Sequence, residues 1–308
     1  MESNPFSIDV VIPAYNAEKF ITETLESVGA QDVPIRSVII VNDGSEDNTE
    51  ARVLDFQKVA THLKINLINQ SNHGLSAARN IGISHAKADY IALLDADDLW
   101  SPHKLSSQIQ LFQAAENPNL GLVYCAYERM NEGGKILDSG PKGVIAPKLR
   151  GKIYKSLLRG NFISGSGSSV LIKRTVFDSV GLFDENLKAC EDWDMWLRIA
   201  KHYQFDYVDK SLVLIRIHQN NMQKDAMRMI TAELMMLNKF IQRGEKNPFL
   251  LWKLRTYLYN KGVSATSING FSKCEPILQE QLSGWRMNLA SLLLSPAKNL
   301  AGLYLRNK

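Results

Sequence analysis

The sequence predicts an α/β fold with a doubly wound, mainly parallel β-sheet and a C-terminal helical extension. Three observations favour this class. Short β-branched runs alternate with amphipathic helical patterns through the first half of the chain. The connections between them are short, which is typical of parallel strands joined by crossover helices. The predicted strands are nearly continuous apolar runs, as expected when both faces of a sheet are covered.

The predicted elements alternate regularly as far as residue 127. Each strand is a short run rich in Val, Ile or Leu, and each helix repeats apolar residues every three or four positions. In chain order, the predicted strands span 8–13, 37–42, 64–69, 89–95 and 120–127. Three of the predicted helices between them span 17–28, 75–86 and 103–116. A fourth, between the second and third strands, has Val53, Phe56 and Ala60 on one face.

The second half is less regular but contains three further elements. Residues 161–177 predict a Gly/Ser-rich loop, a strand and the start of a helix. A helix is expected to begin at Glu191, with an apolar stripe formed by Trp193, Trp196, Leu197 and Ala200. A final strand over 211–221 would bring Arg216 and His218 towards its end.

Charge divides the chain of 308 residues into two parts. Residues 243–308 contain ten Lys/Arg and three Asp/Glu, a net +7, so the preceding residues carry −3 of the total of +4. We therefore expect a globular domain at 1–222 and a basic, amphipathic helical tail at 223–308. The tail mixes Trp, Leu and Tyr with Lys and Arg, which predicts weak association with an anionic membrane surface. Burial in a helical cap or in an oligomer interface is the alternative.

Other features exclude several classes of protein. The three cysteines are widely spaced and form no CxxC, so neither a disulfide framework nor a zinc site is expected. The N-terminus does not resemble a secretory signal, and no stretch reaches the roughly 18 apolar residues of a membrane-spanning helix. The expected location is the cytoplasm, with peripheral attachment to the inner face of the cell membrane through the tail. No nucleic-acid partner is expected.

Polar residues follow each of the first four predicted strands. They are Pro13–Asn16, Asp43–Ser45, Asn72–Gly74 and Asp95–Asp98. Each group has an ordinary explanation, such as an Asp-Gly turn or acidic helix caps. In doubly wound sheets, however, ligands bind beyond the carboxyl ends of the strands. Four polar strand ends therefore predict one binding crevice.

The acidic group at 95–98 predicts a hard divalent cation, Mn²⁺ or Mg²⁺. Such cations prefer oxygen ligands, and Mg²⁺ often combines one or two carboxylates with substrate phosphates. We therefore expect a metal-bound nucleoside diphosphate in the crevice. The chain lacks GxGxxG after its first strand and has no GxxxxGK[ST], which disfavours dinucleotide enzymes and P-loop NTPases. A second acidic cluster at Glu191, Asp192 and Asp194 exceeds what a helix cap needs.

Six segments, in order, resemble the family-two inverting glycosyltransferases of the GT-A fold. They are VVIPAYNAEKFITETLESV, VNDGSEDNT, NHGLSAARNIGI, IALLDADDLW, VGLFDENL…CEDWDMWLRIA and LIRIHQNN. The resemblance covers about residues 7–221. It implies a GT-A-like catalytic domain at 1–222, with a nucleotide-binding half at about 1–127 and an acceptor and catalytic half at 128–222.

The resemblance also implies a role for individual residues of the nucleotide-binding half. Asp43 would hydrogen-bond the base, expected to be uracil. The residues that would line the pocket or help to hold the nucleotide are Pro13, Ala14, Tyr15, Gly74 and Arg79.

The remaining motif residues would act around the reacting groups. Asp95-Ala96-Asp97 resembles the DxD motif, with Asp95 towards the ribose and Asp97 on the metal. Asp192 would be the catalytic base and Glu191 could bind acceptor hydroxyls. His218 would contact the metal or the diphosphate.

The expected activity is transfer of a sugar from a nucleoside-diphosphate sugar, expected to be UDP-linked, to a hydroxyl of a glycan or glycolipid acceptor. A growing bacterial-type surface glycan is the expected acceptor. Transfer to a polyprenyl phosphate is one alternative, since an ionised acceptor needs no base. A sugar-nucleotide nucleotidyltransferase is another, disfavoured because no glycine-rich loop follows the first strand. A third alternative is a nucleotide-sugar-binding module without catalysis.

Overall fold

The computed structural model describes residues 6–137, 143–163, 165 and 167–218, with a few positions between 228 and 240. The chain forms two compact units, Met1–Met229 and Ile230–Lys308. In the second unit, the described positions between 232 and 240 are helical. Apart from Arg228 and Met229, which are also helical, the rest of the predicted tail at 223–308 lies outside the described residues. Within the described part of the chain, no helix combines the length and apolar character that crossing a membrane requires.

An eight-stranded sheet forms the centre of the first unit. Its strands are β1 (Ile8–Ala14), β2 (Ser37–Asp43), β3 (Ile65–Gln70), β4 (Tyr90–Leu93), β5 (Leu99–Trp100), β6 (Leu120–Asn131), β7 (Leu171–Lys173) and β8 (Gln204–Ile217). The spatial order is β3-β2-β1-β4-β7-β6-β8-β5. The first four strands in this order pair in parallel, as do β6 and β8, whereas β7 and β5 run antiparallel to their neighbours. The predicted α/β fold with a mostly parallel sheet is confirmed.

Helices connect the strands, and those predicted from apolar periodicity are present; the single turn at Tyr154–Leu157 was not predicted. They are α1 (Ile21–Gly29), α2 (Thr49–Val59), α3 (Leu75–His85), α4 (Lys104–Ala114), α5 (Tyr154–Leu157), α6 (Arg174–Val180) and α7 (Glu191–Ala200), with a 3-10 turn at Gly167–Ser169. The apolar stripes predicted for α1 and α7 are buried. Helix α3 approaches the sheet closely because Gly82 lies against Val11, where an added Cβ would come within 2.3 Å of a Val11 methyl carbon.

Strand boundaries differ from the sequence expectation around the acidic motif. Strand β4 ends at Leu93 rather than at residue 95, because the chain turns there and the amide of Asp98 donates to the carbonyl of Asp95. Strand β5 was not predicted; its two residues gain their partners from β8. Strand β6 continues to Asn131, and β8 begins at Gln204, because these two strands pair along almost their entire length.

Candidate functional site

The ends of β1 and β2 are joined by side chains that follow them. The amide of Asn16 donates to Ser45 Oγ at 3.0 Å, and the amide of Glu46 donates to Asn16 Oδ1 at 2.9 Å. Asn16 has a φ of 49°, a conformation that is uncommon for residues other than glycine and is often found at functional sites. These strand ends therefore form one connected rim, as their parallel order requires.

Asp43 joins the end of β2 to the loop that follows β3. Its carboxylate accepts the amides of His73 and Gly74 at 2.9 and 2.8 Å, and the side-chain amide of Gln70 at 2.6 Å. The neighbouring Gly44 has a φ of 72°, and an added Cβ there would come within 2.7 Å of the Asn72 amide nitrogen. The chain bends at Gly44, where an Asp-Gly turn was considered, and Asp43 is 3% exposed.

The residues predicted to line the nucleotide pocket differ in their exposure. Pro13 and Ala14 are buried at the end of β1, whereas Tyr15 is 50% exposed beyond it. Gly74 has a φ of 95° and directly precedes α3. Their predicted contacts with a nucleotide remain predictions.

The acidic loop after β4 places its side chains in different environments. Ala96 is 8% exposed, and its carbonyl accepts the hydroxyl of Thr24 at 2.9 Å. Asp98 is 3% exposed and accepts the amide of Arg216 and the hydroxyl of Ser168. Burial, followed by repulsion from the neighbouring acids, raises the pKa of Asp98 well above its usual value. Asp98 therefore anchors the loop rather than facing the crevice.

Asp97 and His218 meet although 121 residues separate them. His218 Nε2 lies 2.8 Å from Asp97 Oδ2, and both side chains are partly exposed, at 17% and 24%. The imidazole stacks on the ring of Phe20, with 5.6 Å between the ring centroids. The structure thus brings together the two residues predicted to be metal ligands. Among the described residues, no group of three or more His, Cys, Asp or Glu side chains could hold a metal by itself.

Arg216 packs beside the pair formed by Asp97 and His218 and fixes the acidic loop. Its Nε donates to the carbonyl of Asp97 at 2.9 Å, and its guanidinium lies 4.8 Å from the ring centroid of Phe20, which directly precedes α1. A further nitrogen pairs with Glu23 at 2.7 Å. Arg216 is 1% exposed, so it is a structural link between α1, the acidic loop and β8.

Arg79 connects the acidic loop to the start of α7. Its two terminal nitrogens pair with Asp95 at 2.7 Å and with Glu191 at 2.8 Å, and the side chain is fully buried. Burial opposes the positive charge of Arg79, but the two carboxylates outweigh it and raise the pKa of the guanidinium. The predicted nucleotide contact of Arg79 and the predicted acceptor contact of Glu191 remain predictions; what the structure shows is a buried ion-pair bridge.

Asp192 occupies the first turn of α7 and is partly buried. Its carboxylate accepts the side-chain amide of Asn161 at 3.0 Å and the amide of Trp193 at 2.7 Å. Burial and repulsion from Glu191 raise the pKa of Asp192 to about 6, against the opposing effects of Arg79 and of the two hydrogen bonds. A carboxylate with this pKa can accept a proton near neutral pH.

Two residues near these groups were missed by the sequence analysis. Asn161 lies in an irregular Gly-rich stretch, and only its contact with Asp192 distinguishes it. Ser168 accepts the amide of Asp95 and bonds to Asp98, again without a motif that would identify it. Arg216 was identified, because the strand predicted at 211–221 places it two positions before His218 on the same face.

Comparison with known proteins places the chain in a family. The model of the family described as glycosyl transferase family 2 matches residues 9–181. An uncharacterized glycosyltransferase of Rickettsia typhi is 27% identical over 276 residues, covering 89% of this chain and 84% of that protein. An Escherichia coli protein, UDP-Glc:alpha-D-GlcNAc-diphosphoundecaprenol beta-1,3-glucosyltransferase WfgD, is 26% identical over 77% of this chain and 87% of its own length.

Solved structures share the fold at low sequence identity. Staphylococcus aureus TarS in complex with UDP-GlcNAc superposes with a TM-score of 0.64 at 17% identity, covering 90% of this chain and 79% of TarS. The mannosyltransferase PcManGT of Pyrobaculum calidifontis, in complex with GDP-Man and Mn²⁺, gives a TM-score of 0.62 at 19% identity, covering 96% of this chain and 80% of that one. These likenesses confirm the GT-A-like fold. The chain belongs to glycosyl transferase family 2.

Proposed function

We propose that this protein transfers a sugar from a UDP-linked donor to an acceptor hydroxyl, with inversion at the anomeric carbon. The observation that carries the proposal is the presence of two separate acidic sites joined by one guanidinium. Arg79 bonds Asp95 of the DxD loop and Glu191, which directly precedes Asp192. One site can bind the donor diphosphate and the other can activate the acceptor, which is the division of labour that a single displacement requires.

The nucleotide would bind at the rim formed by the ends of β1 to β4. Asp43 already accepts three N–H donors, which fixes the loop at 71–74 around it. A carboxylate offers about four acceptor positions, so one remains for the N3–H of uracil. The choice of UDP rests on the relative WfgD, whose name specifies UDP-Glc; among the structural neighbours TarS binds UDP-GlcNAc and PcManGT binds GDP-Man.

The pair formed by Asp97 and His218 fits a divalent cation. One carboxylate oxygen and one imidazole nitrogen lie 2.8 Å apart and are partly exposed, so diphosphate oxygens and water could complete the ligand set. Mn²⁺ or Mg²⁺ held there would neutralise the charge that develops on the departing diphosphate. Arg216 contacts the Asp97 backbone and Phe20 stacks on His218, so both metal-binding groups are held in position.

Asp192 would remove the proton from the attacking hydroxyl. The displacement passes through an oxocarbenium-like state, and a base on the face opposite the leaving group gives inversion. Asn161 and the Trp193 amide hold the two carboxylate oxygens, which orients the group before the acceptor arrives. A base tuned towards neutral pH favours a hydroxyl acceptor over a phosphate acceptor, since a phosphate is already ionised.

Turnover of UDP-glucose and UDP-GlcNAc, with a short-chain GlcNAc-diphospholipid as acceptor, tests the proposal. We expect chelation to abolish turnover, Mn²⁺ or Mg²⁺ to restore it, and NMR of the product to show inverted anomeric configuration. Asp97→Asn should lose activity at low metal concentration, while Asp178→Asn, a neutralised acid exposed on α6, should not. Retained configuration, or an Asp97→Asn variant that is fully active at low metal, would refute the assignment.

A further inference from the structure

One described surface of the first unit carries a concentrated positive charge that the proposed chemistry does not use. Residues 148–159, named here the basic segment, contain five Lys/Arg and no Asp/Glu: Lys148, Arg150, Lys152, Lys155 and Arg159. All five side chains are exposed. The first 242 residues together carry −3, so without these five they would carry −8. The segment is therefore a strongly basic surface on an otherwise acidic region.

The backbone of the basic segment is fixed, so its charges have a defined direction. Gly151 and Phe205 exchange backbone hydrogen bonds at 2.6 and 3.0 Å. The hydroxyl of Tyr124 donates to the carbonyl of Leu149 at 2.7 Å. The apolar members of the segment that face inward are Ile153, Leu157 and Leu158, which are at most 3% exposed. The five lysines and arginines of the segment are left on the outer side.

The basic segment runs alongside α7 towards Asp192. At the C-terminal end of the helix, Lys201 Nζ lies 5.5 Å from the ring centroid of Tyr154. In the first turn, Trp193 Nε1 donates to the carbonyl of Leu157 at 2.8 Å. The chain then reaches Asn161, which bonds Asp192. A helix of ten residues is about 15 Å long, so the basic surface begins within that distance of the proposed base.

Neighbouring acids compensate only part of this charge. Asp206 lies 3.4 Å from Arg150, whose guanidinium also lies over the ring of Tyr207 at 4.2 Å. The argument therefore depends chiefly on the three lysines at 148, 152 and 155. Phe162 follows at the Asp192 end of the surface and is 40% exposed. A cluster of exposed basic residues followed by an exposed aromatic residue is typical of proteins that bind anionic lipid surfaces.

We infer that the basic segment docks the first unit on the anionic phospholipid headgroups of a membrane. This surface is distinct from the C-terminal tail, for which membrane association was expected from sequence. Docking would place the Asp192 end of α7 near the lipid surface. If the proposed function holds, a lipid-linked acceptor would then meet the base without leaving the membrane.

Vesicle co-sedimentation of the full-length protein tests the inference. The probe is phosphatidylcholine vesicles with and without phosphatidylglycerol, at low and at high salt. We expect binding only to the anionic vesicles, weakened by salt through screening. The triple variant Lys148→Gln/Lys152→Gln/Lys155→Gln should lower the partition coefficient by about a hundredfold, because each basic residue near an anionic surface strengthens binding by about fivefold.

A matched variant separates local charge from net charge. Lys58→Gln/Lys64→Gln/Lys87→Gln removes the same charge from exposed lysines elsewhere. It should change vesicle binding by less than about threefold. Equal losses in the two triple variants, an unaffected basic-segment variant, or wild-type protein that does not bind at low salt would each overturn the inference. UDP affinity and melting temperature should be unchanged in both triple variants, which would show that the donor site and the fold are intact. The vesicle result is then independent of the proposed reaction.

Discussion

The environment of Asp192 makes it a stronger base than an exposed aspartate. Burial and the adjacent Glu191 disfavour its ionised form, while Arg79, Asn161 and the Trp193 amide favour it. The first two effects outweigh the others, so the pKa rises to about 6. The residue before Glu191, Cys190, has a φ of 57° and so starts the helix from an uncommon conformation. Such conformations persist where the surroundings fix them, often at functional sites.

The raised pKa predicts an acid limb in the rate profile. Asp192 can accept a proton only when it is ionised, so kcat should fall as the pH drops through about 6, by about tenfold per pH unit below it. Above pH about 7 the base is ionised and kcat should be level. Steady-state rates at saturating donor and acceptor, measured across this range, check the limb. A profile that is flat down to pH about 4 would contradict it.

Removing one hydrogen bond should move this limb in a known direction. Asn161 stabilises the ionised form of Asp192, so Asn161→Ala should raise the pKa further and shift the limb to higher pH. At pH about 8 the variant should recover most of its rate. Asn186→Ala, the same substitution at an exposed position, should leave the profile unchanged. If Asn161 has only a structural role, kcat will fall equally at every pH.

The substitution Asp43→Ala should weaken nucleotide binding and lower stability in part. Asp43→Ala removes the acceptor for the His73 and Gly74 amides, so the loop that would surround the base loosens. A hydrogen bond to a charged group contributes about 1.5–3 kcal/mol, which corresponds to a 10- to 100-fold weaker affinity for UDP. Calorimetric titration checks this value. Asp55→Ala, on the exposed side of α2, is the control, and UDP affinity equal to wild type in Asp43→Ala would rule out the assignment.

At the scale of elements, Arg79 connects three of them. It extends from α3 and pairs with the loop after β4 and with the first residue of α7. Gly167 permits this, because an added Cβ would come within 3.1 Å of the Arg79 guanidinium. The donor loop and the helix that carries Asp192 are therefore held by one buried cation.

Removing this cation should strongly destabilise the fold. Arg79→Met leaves Asp95 and Glu191 without their buried partner, which typically costs about 3–5 kcal/mol of unfolding free energy. The exposed pair of Arg174 and Asp178 offers the comparison, since Arg174→Met should cost at most about 1 kcal/mol. Urea denaturation of the three proteins gives the free energies. Equal stability of Arg79→Met and Arg174→Met would mean that the bridge contributes little.

The sequence predicted those elements whose signal is local. Helix α7 begins at Glu191 as expected, because acids in a first turn and an apolar stripe both lie within ten residues. Strand β5 could not be found in this way, because its two residues form a strand only by pairing with β8. For the same reason β8 begins at Gln204, seven residues before the expected start at 211.

At the scale of the whole molecule, the order of the parallel strands determines which motifs meet. Strands β3, β2, β1 and β4 are neighbours, so the polar groups after them lie along one edge, as predicted. Contacts between distant parts of the chain could not be predicted from the sequence. Examples are the pairing of Arg79 with Glu191, 112 residues away, and the burial of Asp98 within the acidic loop at 95–98. These depend on packing in three dimensions, which no local pattern encodes.

The substitution Asp192→Asn tests the central claim most directly. The first unit is proposed to hold the donor at the strand ends and to activate the acceptor at α7. Loss of the base alone should therefore lower kcat by at least about a hundredfold. UDP-sugar affinity should stay near wild type, because the donor and metal residues are elsewhere.

Stability provides the control for this measurement. Asparagine caps a helix nearly as well as aspartate and removes a partly buried charge beside Glu191, so the melting temperature should equal or exceed that of wild type. The claim predicts a folded protein that binds UDP-sugar normally and has lost at least about 99% of its kcat. A folded Asp192→Asn protein that retains more than about a tenth of the wild-type kcat would contradict it and leave Asp192 as a helix cap.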